Sequence, residues 1–185
     1  GWYAAQMGLP VGNLVLATNE NDILARFFNT GAYSLGPVVP TLSPSMDIQV
    51  ASNFERYLFY KLGADPGALR LPPSGPADPL VRAGVGDTAS TLATIRRYHE
   101  QYGYLLDPHT AVGVHVAEPH VEPDEPMICL ATAHPAKFGA AIKQALGRDL
   151  AHHPAVEALR DAPTRCVPLP NDERAIRDYL AAHAG

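Results

Sequence analysis

The chain has 185 residues, long enough for one ordinary domain with a sizeable core. At 46% hydrophobic and 18% charged it reads as globular, and it has no apolar run long enough to cross a bilayer. A formal net charge of −5, with no basic block, argues against nucleic acid or an anionic membrane as partner, because both demand concentrated positive charge.

Residues 1–8 (GWYAAQMG) read as the last turns of a helix, with Gly8 as left-handed cap and Pro10 as stop. No capping residue precedes Trp2, so the expectation is that sequence lies upstream. Residues 13–18 (NLVLAT) form a short apolar run, consistent with a strand buried on both faces. The run leads into Asn19, Glu20, Asn21 and Asp22, polar residues suited to cap a helix whose apolar stripe is Ile23, Leu24, Phe27 and Phe28 and which ends at Gly31. Strand, polar turn and helix in that order is half of a βαβ unit and predicts a parallel sheet.

Residues 36–47 (GPVVPTLSPSMD) predict an ordered loop, and 51–62 a helix carrying Phe54, Tyr57, Leu58 and Leu62. Residues 63–86, rich in Pro and Gly, read as a surface excursion. Asp87 or Thr88 caps a helix through about Tyr102, closed by Gly103, and Asp107-Pro108 opens another. Residues 118–126 (EPHVEPDEP) form an acidic connector. Residues 127–133 (MICLATA) predict a second buried strand, turned by His134-Pro135 into a helix with Phe138, Ile142 and Leu146. A short helix near 154–160, a strand at 165–169 and a helix over 171–183 complete the chain. The fold class expected is α/β: part of an open, mostly parallel sheet flanked by helices.

Cys129 and Cys166 lie in apolar stretches and read as free buried thiols, which points to a reducing cytoplasm. The eight histidines lack the spacing of a metal site, so no metal is expected. Signatures of serine hydrolases, P-loops and dinucleotide folds are missing. Glu20 and Asp22 are too close in sequence to act as a glycosidase pair, and capping or solvation accounts for them. Thr132 stands out by position. Ligands of open α/β sheets collect outside the carboxyl ends of strands, and Thr132 ends a predicted strand just before a Pro-started helix. Its hydroxyl can give or take one hydrogen bond with a ring heteroatom or an anion; the competing reading is a bond to the local backbone.

Four segments, ATNENDIL (17–24), PTLSPSMDIQVASNFER (40–56), GYLLDPHTAVG (103–113) and ATAHPAKF (131–138), together resemble threonine synthases of the bacterial and fungal type. They match in order and cover nearly the whole chain. The resemblance implies the C-terminal portion of a pyridoxal 5'-phosphate (PLP) enzyme of fold type II, which converts O-phospho-L-homoserine and water into L-threonine and phosphate. It implies that Thr132 faces the pyridine nitrogen, where a neutral hydroxyl would not hold that nitrogen fully protonated. Asp107 either approaches the cofactor or caps its helix. The family's Schiff-base lysine and its phosphate-cradling loop are expected upstream of Gly1.

The chain has three lysines. Lys61 and Lys143 read as solvated residues on the polar sides of helices, and Lys137 lies outside the family's lysine motif. No catalytic residue is therefore assigned within the chain, which alone is expected to be inactive. A threonine synthase-like phospholyase and a non-catalytic module on the same scaffold are the rival readings; oligomeric state is not legible.

Overall fold

A computed structural model describes residues 1–63 and 78–183. Two units are distinguished, residues 1–153 and 154–185. The first opens with α1 (Trp2–Gln6), β1 (Leu14–Thr18), α2 (Ile23–Thr30) and α3 (Phe54–Lys61). It continues with β2 (Val81–Val85), α4 (Thr88–Tyr102), α5 (Pro108–Ala117) and α6 (Gly139–Leu146). The second holds α7 (Pro154–Glu157) and α8 (Glu173–His183). No helix among the described residues is long and apolar enough to cross a membrane.

The sheet is parallel, as the strand–turn–helix order predicts. β1 pairs with β2 in a register running from Leu14 opposite Val81 to Thr18 opposite Val85. Successive side chains point to opposite faces, so each strand serves two layers. Leu14, Leu16, Val81 and Ala83 pack with Phe27 and Phe28 of α2 and Phe54 of α3. Gly84, on the other face, lies against α5, where an added Cβ would come within 2.7 Å of Val116. Beyond α5, Ile95 of α4 and Ile142 and Ala145 of α6 join Ala111 and Val114 in a second core. The protein is therefore an α/β fold with helices on both faces of a small open sheet.

β2 corrects the reading of residues 63–86 as a surface excursion. Residues 64–77 lie outside the described residues, but 81–85 form half of the sheet. Gly84 and Gly86 look like loop punctuation in the sequence. They are required by the close approach of α5, since Val112 would stand 3.2 Å from a Cβ at Gly86.

The start of β2 is pinned by Asp78. Its carboxylate accepts hydrogen bonds from Trp2 Nε1 (3.0 Å), Tyr57 Oη (2.8 Å) and Lys61 Nζ (2.9 Å), and from the Leu80 amide (2.9 Å). Lys61 is thus exposed, as its helical position suggests, but its ammonium is also an ion-pair partner. Burial alone would raise the Asp78 carboxyl; the bonds from Lys61, the Leu80 amide and Tyr57 outweigh it and hold the group below the usual carboxylate range. The Tyr57 hydroxyl moves the other way, pushed up by burial and by the bond to Asp78.

Two predicted strands do not form. Residues 127–133 form no regular element and have no ladder partner among the described residues, and Ile128 and Leu130 are 79% and 78% exposed. Residues 165–169 are likewise irregular and exposed. A strand exists only where a neighbour takes its backbone donors and acceptors, and among the described residues none does so for either run. Cys129 and Cys166, expected in the core, are exposed for the same reason. In the second unit, α8 is held locally by Asp172 accepting from the Ala175 amide (2.8 Å) and by the exposed Glu173–Arg177 pair (2.6 Å).

Candidate active site at the carboxyl ends of the strands

β1 and β2 end side by side, and the turns that follow them are tied together. The Gly86 amide donates to Thr18 O (2.8 Å). Glu20 reaches from the β1 turn to the first turn of α4, where its Oε1 accepts from the Thr88 amide (2.7 Å) and hydroxyl (2.6 Å). A carboxylate at that position also complements the positive end of the helix. The expectation that the turn caps its own helix therefore needs correction. Asp22 stands at the N-cap of α2 without a side-chain cap bond and pairs with Arg26 (2.8 Å), while Glu20 serves α4.

Asn19 and Asn21 turn inward and hold the loop at 39–47. The Asn19 amide group donates to Thr41 Oγ1 (2.8 Å), Ser43 Oγ (3.1 Å) and Asp47 Oδ1 (2.7 Å), and its oxygen accepts from the Asn21 backbone (2.9 Å). Asn21 exchanges two bonds with the Val39 backbone (2.9 and 2.8 Å) and donates to Asp47 (3.1 Å). Asp47 also accepts from the Thr41 amide (3.0 Å) and hydroxyl (2.7 Å). Asn19, Asn21 and Ser43 are buried, so each partner replaces a lost water.

α5 closes the other side of this loop. Asp107 caps it, accepting from the His109 amide (2.9 Å) and the Thr110 amide (3.4 Å) and hydroxyl. Its Oδ1 also lies 3.0 Å from His109 Nδ1, and the Ser45 amide donates to His109 Nε2 (3.2 Å). A backbone N–H can only donate, so Nε2 is the acceptor and the ring proton sits on Nδ1, facing Asp107. The ring of His109 packs on Phe138, with centroids 4.9 Å apart. The capping alternative for Asp107 is what the geometry displays.

A cavity of about 320 Å³ lies beside this helix start, lined by Tyr104, Asp107, Thr110, Ala131, Ala133 and His134 among others. Thr132 lies between two of those alanines in sequence but does not itself line the cavity; it is exposed, and its hydroxyl bonds no backbone group among the described residues. None of the three lysines lines the cavity: Lys61 is held by Asp78, and Lys137 and Lys143 are exposed. Reading the sequence brought Thr132 and Asp107 to notice but missed Asn19, Asp47 and His109. The available signal was the run Asp107-Pro-His-Thr, where one carboxylate can meet four donors within three residues.

The comparisons with known proteins fit this arrangement. The family described as threonine synthase, C-terminal, matches residues 110–180. The threonine synthase of Methylobacillus glycogenes is 39% identical over 99% of this chain and 43% of its own length. That of Corynebacterium glutamicum is 40% identical over 97% of this chain and 42% of its own. The PLP-bound threonine synthase structure from Brucella melitensis superposes with a TM-score of 0.81 at 39% identity, covering 99% of this chain and 43% of that one. The chain belongs to the threonine synthase family. It spans less than half the length of these relatives and corresponds to their C-terminal part. The four resembling segments of the family are thus the ones that meet at the carboxyl ends of the strands and around His109.

Proposed function

We propose that the complete gene product carrying this chain is a threonine synthase, converting O-phospho-L-homoserine and water into L-threonine and phosphate with PLP as cofactor. The observation that carries this reading is the convergence of the turn after β1, the 41–47 loop and the start of α5 into one buried polar network at the carboxyl ends of the sheet, next to the turn that bears Thr132. That is where ligands of open α/β sheets bind.

Thr132 fits the pyridine edge of the cofactor. It is exposed, its hydroxyl can donate or accept one bond, and no local backbone group competes for it among the described residues. When bound, PLP supplies an electron sink for carbanion chemistry. Thr132 would hold the pyridine edge of the ring, and its neutral hydroxyl would not stabilise a full proton on the nitrogen as a carboxylate would. The covalent attachment point is not supplied by Lys61, which is paired with Asp78, and Lys137 and Lys143 are not among the residues that line the cavity.

Assay of the complete gene product with O-phospho-L-homoserine and PLP is expected to yield threonine and phosphate in equal amounts. Phosphate without threonine would replace this reading with a phospholyase, and neither product would indicate a binding module. Thr132→Ala is expected to weaken PLP binding roughly tenfold, the value of one net hydrogen bond. Thr132→Ser keeps the hydroxyl and should bind normally. Unchanged PLP affinity in Thr132→Ala would remove Thr132 from the site.

A further inference from the structure

We infer that residues 127–131 form a docking surface for the upstream portion of the same gene product, which pairs with this run as a strand and covers Ile128 and Leu130. This goes beyond the activity proposed above and needs only the family to which the chain belongs. The residues of the run alternate. Met127 and Cys129 line a cavity of about 400 Å³ with Val114 and Ala117 of α5. Cys129 and Ala131 line a second, of about 490 Å³, with Tyr98 and Tyr102 of α4. Ile128 and Leu130 line neither cavity and are 79% and 78% exposed. A period of two is that of a strand with one face on a layer of helices and the other face open.

Residues 127–131 carry no charge, and among the described residues none pairs with them in a ladder. An exposed apolar run with unpaired amides and carbonyls is a template for strand addition. The larger cavity is walled by three tyrosines, of which Tyr102 and Tyr104 are 69% and 56% exposed. A void of that size does not persist in a packed core, so side chains from outside are needed to fill it. Tyrosines, with an apolar body and a polar tip, suit such a contact.

The length of chain outside the structure names the occupant. This chain spans less than half the length of the threonine synthases it matches and corresponds to their C-terminal part. The larger part of such a protein therefore precedes residue 1. That portion is covalently tied to the run, at an effective concentration that a second copy does not reach. Residue 132 follows the run directly, so the portion seated on residues 127–131 stands beside the Thr132 turn.

Hydrogen–deuterium exchange of the complete gene product, read by mass spectrometry on the peptide over residues 127–131, is the first test. It is expected to run roughly a hundredfold slower than for the same peptide in denaturant. In Ile128→p-benzoylphenylalanine, irradiation is expected to crosslink position 128 to a peptide from before residue 1 of the same molecule. The yield of that crosslink should not change on dilution.

Exchange as fast as in denaturant would overturn the inference. So would a crosslink to residues 1–185, a crosslinked dimer that fades on dilution, or no crosslink at all. A coding sequence that opens at residue 1 would do the same. A protected, crosslinked run in a protein that forms no threonine leaves the docking surface standing and removes only the functional reading. Threonine formation with a fast-exchanging run does the reverse.

Discussion

Residues 13–18 (NLVLAT) and 127–133 (MICLATA) are similar in composition, and both reach an Ala-Thr pair before a polar turn. Their surroundings differ. The first run lies beside β2, backed by α2 and α3 on one face and α5 on the other, and Thr18 is buried with its hydroxyl on Gly84 O (3.4 Å). The second has no neighbouring strand among the described residues, and Thr132 is exposed. One threonine is bonded within the sheet and the other is exposed. The lesson is that an apolar run does not make a strand by itself; pairing and burial depend on what is brought alongside it.

If that contrast is real, stability resides in the network after β1 and not in the turn after residue 132. Asn19→Ala removes donors to Thr41, Ser43 and Asp47 and the acceptor for Asn21, all in a buried setting. A loss of about 3 kcal/mol is expected in a denaturant titration, because several buried groups lose their partners at once. A loss below about 1 kcal/mol would show that water can replace this network.

A smaller effect is expected at the entrance to β2. Asp78 is held below its ordinary value of 3.8 in the folded protein, so its stabilisation is complete above that pH and is lost as pH falls through the lower folded value. Asp78→Asn should cost about 2 kcal/mol near neutrality, leaving Lys61 without its partner. It should also flatten the acid limb of a stability–pH curve measured by denaturant midpoints. Tyr57, shifted upward, adds a second limb: its contribution is complete below its ordinary value of 10.0 and declines as pH rises beyond it. An acid limb unchanged in Asp78→Asn would assign that limb to other carboxylates.

The smallest change in stability is expected for Ile128→Asp. With that side chain 79% exposed, the substitution should alter the unfolding free energy by less than about 0.5 kcal/mol. Light scattering of the 185-residue chain should nevertheless report less self-association, because a charge interrupts an exposed apolar segment. A cost above about 1 kcal/mol would mean that residues 127–133 pack as β1 does, and the contrast would fail.

Much of the local structure was legible in the residues. Gly31, Gly103 and Gly147 end α2, α4 and α6 in the left-handed conformation, and Asp87 and Asp107 cap α4 and α5. These are short-range effects, decided within one helical turn. The candidate site was less legible. Thr132 could be singled out from its place in a motif. Asn19 was visible only as a turn residue, and nothing in the spacing of the 41–47 loop and His109 announces that Ser45 would donate to an imidazole 64 residues away.

What the sequence determined alone was the α/β class, the helix ends that carry an Asp cap or a closing glycine and, through four segments in order, the family to which the chain belongs. Tertiary structure decided which apolar runs became strands, why Gly84 stands in one of them and Gly86 just after it, and how Asp107, His109 and Ser45 meet. The physical reason is range. Caps and periodicities act between residues a few positions apart, whereas a ladder, a close helix approach or a buried relay exists only once distant segments share the same space.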